Sequence, residues 1–301
     1  MLPEEIKKRL ITNDALFRNV FVFEQQFDIL PDGKHIGAAI AYQDLSELRE
    51  SFLGELIDTL VDWVYSSEKY ADLLQKAMAT GKSQSAASSE IRRRAAQKFR
   101  KSEDALLIQG QLGELLLFHF IQRFKGAVPL LRKMPITTSS EHERFGADAI
   151  HYKVDGTHNI FVLGEAKAYT SKYKFTAAFE DALGSILETY TKHHSELNLY
   201  LHEDFLDKEM DQIAEKYLTN QLENVRMELV SLVLYHETEK VTLSSEQEIK
   251  EQIQKIIERK FASFDKSKID LEKNPILGRI TYIVFPVWEF DKLAREFQSM
   301  I

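Results

Sequence analysis

From about Asp104 to its end, the chain switches repeatedly between two hydrophobic periods, and this switching most limits the folds open to it. LLIQGQLGELLLFHFIQRF is apolar at helical spacing and predicts a helix from about Asp104 to Phe124. VPLLRKMP, GADAIHYKVDG and NIFVLGEAKAY follow as three strand-like runs, the last two separated by a short glycine-containing turn. FTAAFEDALGSILETYTKHHSELNLYL then reads as a helix from about Lys174, VRMELVSLVLY as a buried strand and SEQEIKEQIQKIIERKF as a charged helix. RITYIVFPV is a further strand, and FDKLAREFQSMI is a final amphipathic helix. The order helix, three strands, helix, strand, helix, strand, helix is that of an α/β domain.

The residues upstream have a different character. Between Phe17 and Tyr42, apolar and polar residues alternate around a PDGK turn at Pro31 to Lys34, which predicts a small β-rich opening. From Asp44 to about Met78 the spacing of Leu45, Leu48, Phe52, Leu56, Leu60, Trp63 and Val64 predicts one long helix or two, with Asp44 as N-cap. ATGKSQSAASS, Ala79 to Ser89, is small and polar and reads as a mobile linker. The expected organisation is therefore an α+β N-terminal extension over residues 1–90, ending in that linker, and a main domain over residues 91–301.

With 44% hydrophobic residues the chain can bury a sizeable core, and its net charge of −8 argues against a surface coated in positive charge. Any nucleic-acid contact must be local. The absence of cysteine excludes disulfide-linked partners and thiolate metal sites. MLPEEIKKRL lacks the apolar core of a signal peptide, and the most apolar stretches, ELLLFHFI and VSLVLY, fall far short of the roughly 20 residues that cross a bilayer. A cytoplasmic location, with no membrane partner, is the expectation.

Glu-x-Lys occurs also at Glu5, Glu248 and Glu258, but only Glu165-Ala166-Lys167 lies at the end of an apolar β run. In a strand, residues i and i+2 share a face, so both charged side chains reach one small volume. Taken alone the pair reads as a surface ion pair worth at most about 1 kcal/mol. Asp148 begins the preceding strand, and antiparallel pairing of the two runs brings it toward Glu165. Glu114 lies in QLGELLLFHF among apolar neighbours, where a carboxylate is costly unless neutralised. Three converging carboxylates, with the backbone carbonyl of Ala166, form an oxygen-ligand set suited to Mg²⁺ or Mn²⁺. Lys167 beside them suits the activation of water and the neutralisation of a phosphate, which is the chemistry of phosphodiester hydrolysis.

Arg92, Arg93, Arg94, Lys98, Arg100 and Lys101 form a run without an intervening acid, which reads equally as a solvated helix face or as a contact to phosphates or an acidic partner. Lys172 and Lys174, just past the Glu-x-Lys, are better placed to grip DNA backbone beside a scissile bond. His142 with His151, and His193 with His194, have no recurring zinc spacing and are expected to be exposed. No glycine-rich phosphate loop or Ser-His-Asp arrangement is present.

The succession of Glu114 on a helix, Asp148 on one strand and Glu165-Ala166-Lys167 on the next resembles the PD-(D/E)xK nuclease superfamily, with Ala147 in place of the motif's proline. This resemblance implies a restriction-endonuclease-like core, a mixed sheet flanked by helices. The blocks FRKSEDALLIQGQLGELLLF, ERFGADAIHY and GEAKAY, with the N-terminal extension, resemble the HamA family, the nuclease-like component of the Hachiman anti-phage defence system. That resemblance implies a metal-dependent DNase in which Glu114, Asp148 and Glu165 hold Mg²⁺ or Mn²⁺ and Lys167 assists the attacking water. It also implies a superfamily 2 helicase partner, HamB, that restrains the nuclease. The rival reading is a non-catalytic subunit that binds DNA or regulates the helicase.

Overall fold

The structure is a computed structural model and describes residues 3–99, 105–131, 147–169, 175–200, 208–242 and 244–301. Nine strands are found among these residues: β1 (Val20–Gln26), β2 (Lys34–Ile40), β3 (Tyr42–Gln43), β4 (Ser46–Glu47), β5 (Val128–Leu131), β6 (Ala149–Asp155), β7 (His158–Tyr169), β8 (Val225–Glu237) and β9 (Ile280–Trp288). Seven of them form one mixed sheet in the order β1-β2-β9-β8-β7-β6-β5, while β3 and β4 make a separate two-residue ladder. β5, β6 and β7 form an antiparallel meander. β7, β8, β9 and β2 then run parallel, and β1 closes the far edge antiparallel to β2.

The order read from the sequence is the order observed. The expected helix before the meander is α7 (Ala105–Lys125), following the short α1 (Pro3–Lys7) and α2 (Asp14–Arg18) and the helices α3 (Arg49–Asp58), α4 (Leu60–Val64), α5 (Ser67–Ala79) and α6 (Gln84–Ala96). After the meander come α8 (Phe175–Tyr200), α9 (Lys208–Leu218), α10 (Glu246–Ser263) and α11 (Phe290–Met300). Of these, α9 has no counterpart in the sequence reading.

Each strand alternates between two cores. Phe161 and Leu163 of β7, Met227, Leu229 and Val233 of β8, and Tyr282 and Val284 of β9 pack with α8, α9 and α10. Ile160 and Val162, Val230 and Leu232, and Ile283 and Phe285 pack on the opposite face with α3, α4, α7 and α11. The period of two thus divides the molecule into three layers with the sheet in the middle.

Three local expectations are corrected. Asp44 does not cap a helix: it has φ 47° in the tight turn between β3 and β4, and the helical stretch begins at Arg49. That stretch is three helices rather than one or two, because α4 gives way to Ser66, whose side chain accepts from the Lys69 N–H and caps α5. The polar segment Ala79 to Ser89 is not an extended linker but a sharp turn, with Gly81 at φ +91°, followed by α6. Ser83 caps α6 by accepting from Ala86 N–H, and Ala87, Ile91 and Ala95 make its buried stripe at i, i+4, i+8. Small residues that look like a tether here satisfy a helix start instead. The N-terminal extension also contributes β1 and β2 directly to the main sheet, through the parallel pairing of β2 with β9.

Helix α7 lies tightly against β7 at Gly164. A Cβ added at Gly164 would stand 2.7 Å from Ile121 Cδ1, 3.0 Å from Leu117 Cδ2 and 3.2 Å from Ala149 Cβ. Replacing Gly164 by valine is therefore expected to destabilise the protein by about 1–3 kcal/mol through overpacking, read as a lowered midpoint in urea unfolding.

Candidate functional site

The β6–β7 ladder brings the Asp and the Glu-x-Lys together. Its register pairs Ala149 with Gly164, so Asp148, one step earlier, lies across from Glu165. Asp148 N–H donates to Gly164 O at 3.1 Å, and one of its side-chain oxygens accepts from Ala166 N–H at 2.9 Å. The pairing of start against end expected from a short antiparallel turn is therefore observed.

Glu165, Lys167 and Tyr169 point toward α8, while Gly164, Ala166 and Ala168 face α7. Glu165 is only 3% exposed. Its Oε2 accepts from Ser185 Oγ at 2.9 Å, its Oε1 accepts from Thr189 Oγ1, and the Lys167 ammonium stands 3.9 Å from Oε2. The Lys167 side chain remains one-third exposed, so its charge is open to solvent and to a ligand. The Tyr169 hydroxyl donates to Asp181 on α8, further along the same face.

Electrostatically the site is acidic and frustrated. Burial, joined by the negative charge of Asp148, pushes the Glu165 carboxyl from about 4.5 up to about 8, against the opposing pull of Thr189, Lys167 and Ser185. A cation beside the two acids would oppose both raising causes. Ala166 adds a third oxygen: its N–H faces the β6 side, and the C=O of a strand residue faces the same side as its N–H, here just before β6 begins. Two carboxylates and a carbonyl are donors suited to a hard divalent ion.

Glu114 lies in the other helix layer. Gly113 packs over Ala166 and Leu234, where an added Cβ would stand 3.3 and 3.4 Å from them. Phe118 faces His151 of β6 at 5.6 Å between ring centres, so Glu114, one turn earlier in the same row, lies toward the end of the sheet where Asp148 sits. Glu114 is half-buried with one carboxylate oxygen sealed from solvent. Among the described residues no three His, Asp or Glu side chains form a group able to hold a metal ion. The structure thus assembles Asp148 with Glu165 and does not gather Glu114 into the same cluster.

The basic residues divide. Arg92, Arg93 and Arg94 are exposed on α6, with Arg92 paired to Asp58 at 2.9 Å and Arg94 to Glu90 at 2.5 Å, and Lys98 is half-buried just beyond. The acids missing from the run itself are supplied by the preceding turn of α6 and by α3. Because Ala95 packs in the α7-side core, this helix lies on the opposite side of the sheet from Lys167. Arg100, Lys101, Lys172, Lys174 and His142 lie outside the described residues. Two histidines expected at the surface are buried: His151 against Phe118, and His193 against Tyr217, whose hydroxyl lies 2.6 Å from Nε2. Burial holds His193 below its ordinary value, which suits a core residue. His194 is exposed, as expected.

Three side chains on α8 were missed by reading the sequence. Besides Ser185 and Thr189, Glu196 is buried and accepts from Ala147 N–H at 2.8 Å, fixing the residue before Asp148. Their signal was present: Thr189, His193 and Glu196 are polar at positions where the helix buries Ala182, Ile186 and Leu197. A helix whose inward stripe turns polar carries something other than core packing.

A family model for HamA matches residues 15–301, from within α2 to the last residue. The chain belongs to the HamA family. HamA is a subunit of the Hachiman anti-phage defence system, which assigns the protein to antiviral defence. The match includes β1 and β2, so the N-terminal strands are part of what characterises a HamA chain. No curated protein matches the sequence, and among the described residues no helix is long and apolar enough to cross a membrane.

The raised carboxyl of Glu165 has a thermodynamic consequence. A group whose folded pKa exceeds its unfolded one contributes stability below the unfolded value, about 4.5, and loses it as pH rises toward about 8. In EDTA, the wild type is therefore expected to lose stability relative to Glu165→Gln between about pH 5 and about pH 8.5. Melting both proteins by scanning fluorimetry checks this, and parallel pH curves would contradict it.

Proposed function

We propose that this HamA-family protein is a metal-dependent DNA endonuclease with a PD-(D/E)xK core, acting beside a superfamily 2 helicase, HamB, that restrains it. The observation that carries the reading is the opposition of Asp148 and Glu165 across the β6–β7 ladder, with the Lys167 ammonium on the same face. The order α7, three-stranded meander, α8 and a parallel β8 supports the nuclease core. The helicase partner and the restraint rest on the family, in which a nuclease lacking any sequence-reading motif needs an external control.

Asp148, Glu165 and the Ala166 carbonyl are the groups that would hold Mg²⁺ or Mn²⁺; Glu114, the further ligand suggested by the sequence, stands apart from them on α7. Such an ion supplies a water of lowered pKa and offsets charge on the phosphoryl oxygens. Lys167 donates to the attacking water or to a non-bridging phosphate oxygen, fixing the approach in line with the leaving oxygen. The water oxygen would bond to phosphorus while one of its protons is lost to solvent, the bond to the leaving oxygen would break, and that oxygen would take up a proton from solvent. Asp148, by accepting from Ala166 N–H, fixes the backbone that carries the third ligand oxygen. Lys172 and Lys174 follow directly on this strand and are proposed to grip the DNA backbone.

The decisive experiment is cleavage of plasmid DNA in Mg²⁺ with and without the helicase. Lys167→Ala is expected to lower the rate about 10²–10³-fold or more, and Asp148→Asn to abolish it, with folding unchanged by circular dichroism. Equal activity in wild type and Lys167→Ala, or none in either when the helicase is present and triggered, would overturn the reading in favour of a non-catalytic DNA-binding or helicase-regulating subunit. A ribonucleotide substrate in the same assay distinguishes DNase from RNase.

A further inference from the structure

We propose that Ser185 and Thr189 are positioning residues that hold the Glu165 carboxylate in the orientation a divalent cation requires. The inference rests on the metal-dependent reading above and adds residues outside the sequence pattern.

Both carboxylate oxygens of Glu165 are engaged from one helix: Ser185 Oγ donates to Oε2 at 2.9 Å, and Thr189 Oγ1 donates to Oε1. Two hydroxyl donors on two different oxygens fix the rotation of the carboxylate plane, which a single hydrogen bond leaves free. They also favour the ionised form, since a protonated carboxyl offers one acceptor fewer and one donor more. Burial and the facing Asp148 act in the opposite sense. The hydroxyls therefore stabilise the charge state that binds a cation, in a place where the surroundings alone disfavour it.

The arrangement is built into the helix. Ser185, Thr189 and Glu196 are spaced i, i+4 and i+11, close to whole turns of about 3.6 residues, and so lie on one stripe of α8. Glu196 on that stripe accepts from Ala147 N–H at 2.8 Å, one residue before Asp148. One rigid element thus holds both strand ends that bear the acids. Ligating carboxylates are commonly oriented by such outer hydrogen bonds, and removing them typically costs about 10- to 100-fold in metal affinity or activity.

The test is calorimetric titration of Mn²⁺ alone into the full chain, with no DNA, for the wild type, Thr189→Ser, Ser185→Ala and the Ser185→Ala/Thr189→Val double variant, each paired with a thermal melt. The double variant is expected to bind Mn²⁺ about 10- to 100-fold more weakly while melting close to wild type, Ser185→Ala to show a smaller loss, and Thr189→Ser to bind like wild type. A merely structural role would lower the melting temperature and leave affinity unchanged. If the wild type binds Mn²⁺ and the double variant binds it equally well, the positioning role is overturned and the nuclease reading stands. If the wild type itself binds no Mn²⁺, both fall together. Should the double variant fail to fold, Ser185→Ala, at a half-buried position, decides alone: affinity equal to wild type overturns the proposal.

Discussion

The register of the β6–β7 ladder is the constraint on which the candidate site depends. Pairing Ala149 with Gly164 puts Asp148 across from Glu165, and a slip of one residue would turn Glu165 and Lys167 into the α7 layer. Two things hold that register. Both strands pack into two separate cores, so a slipped β7 would carry its charged set from the α8 face into the apolar α7-side core. Gly164 lets Leu117 and Ile121 approach the sheet more closely than any side chain at that position would permit. Packing on the α7 face thereby fixes the chemistry on the α8 face.

The site opposes the ordinary rules of a core. Two carboxylates share a small volume, one of them almost fully buried, and the burial and mutual repulsion that a stable interior avoids are both present. The surrounding fold offsets part of this with hydroxyls from α8, a backbone N–H on Asp148 and the Lys167 ammonium. What remains is an acidic face whose residual repulsion a cation would relieve. Perturbed carboxylates of this kind mark functional positions more often than structural ones. The membership of the chain in the HamA family gives that chemical tension a biological setting in anti-phage defence.

Much of the architecture was legible from period alone. The amphipathic or apolar runs at α7, α8, α10 and α11 and the strand runs at β6 to β9 are long enough for tertiary context not to override them. The misreadings share a physical cause. Asp44 has the right chemistry for a helix cap but sits in a left-handed turn set by the β3–β4 ladder. Ser83 to Ser89 has the composition of a tether, yet a serine cap and three small or apolar residues at helical spacing suffice once α4 and α5 provide a surface to cover. His193, between Lys192 and His194, and His151, between Ile150 and Tyr152, fit no zinc spacing and were expected at the surface, but strand and helix phase turn them inward.

By itself the sequence determined the order of elements, the strand placement of Glu165 and Lys167 on one face, and the position of Asp148 at the start of the neighbouring strand, because these follow from periods of two and 3.6 within short stretches. Only the tertiary structure decided what covers that face. Ser185, Thr189 and Glu196 are 20 or more residues from the acids they serve, and nothing local relates a helix stripe to a strand end until both pack on one sheet. The same holds for Glu114, whose spacing on α7 is fixed by sequence but whose distance from the Asp148–Glu165 pair depends on how the helix crosses the opposite face. Local periodicity selects which side chains can share a surface, and the long-range packing of sheet and helix decides which of them meet.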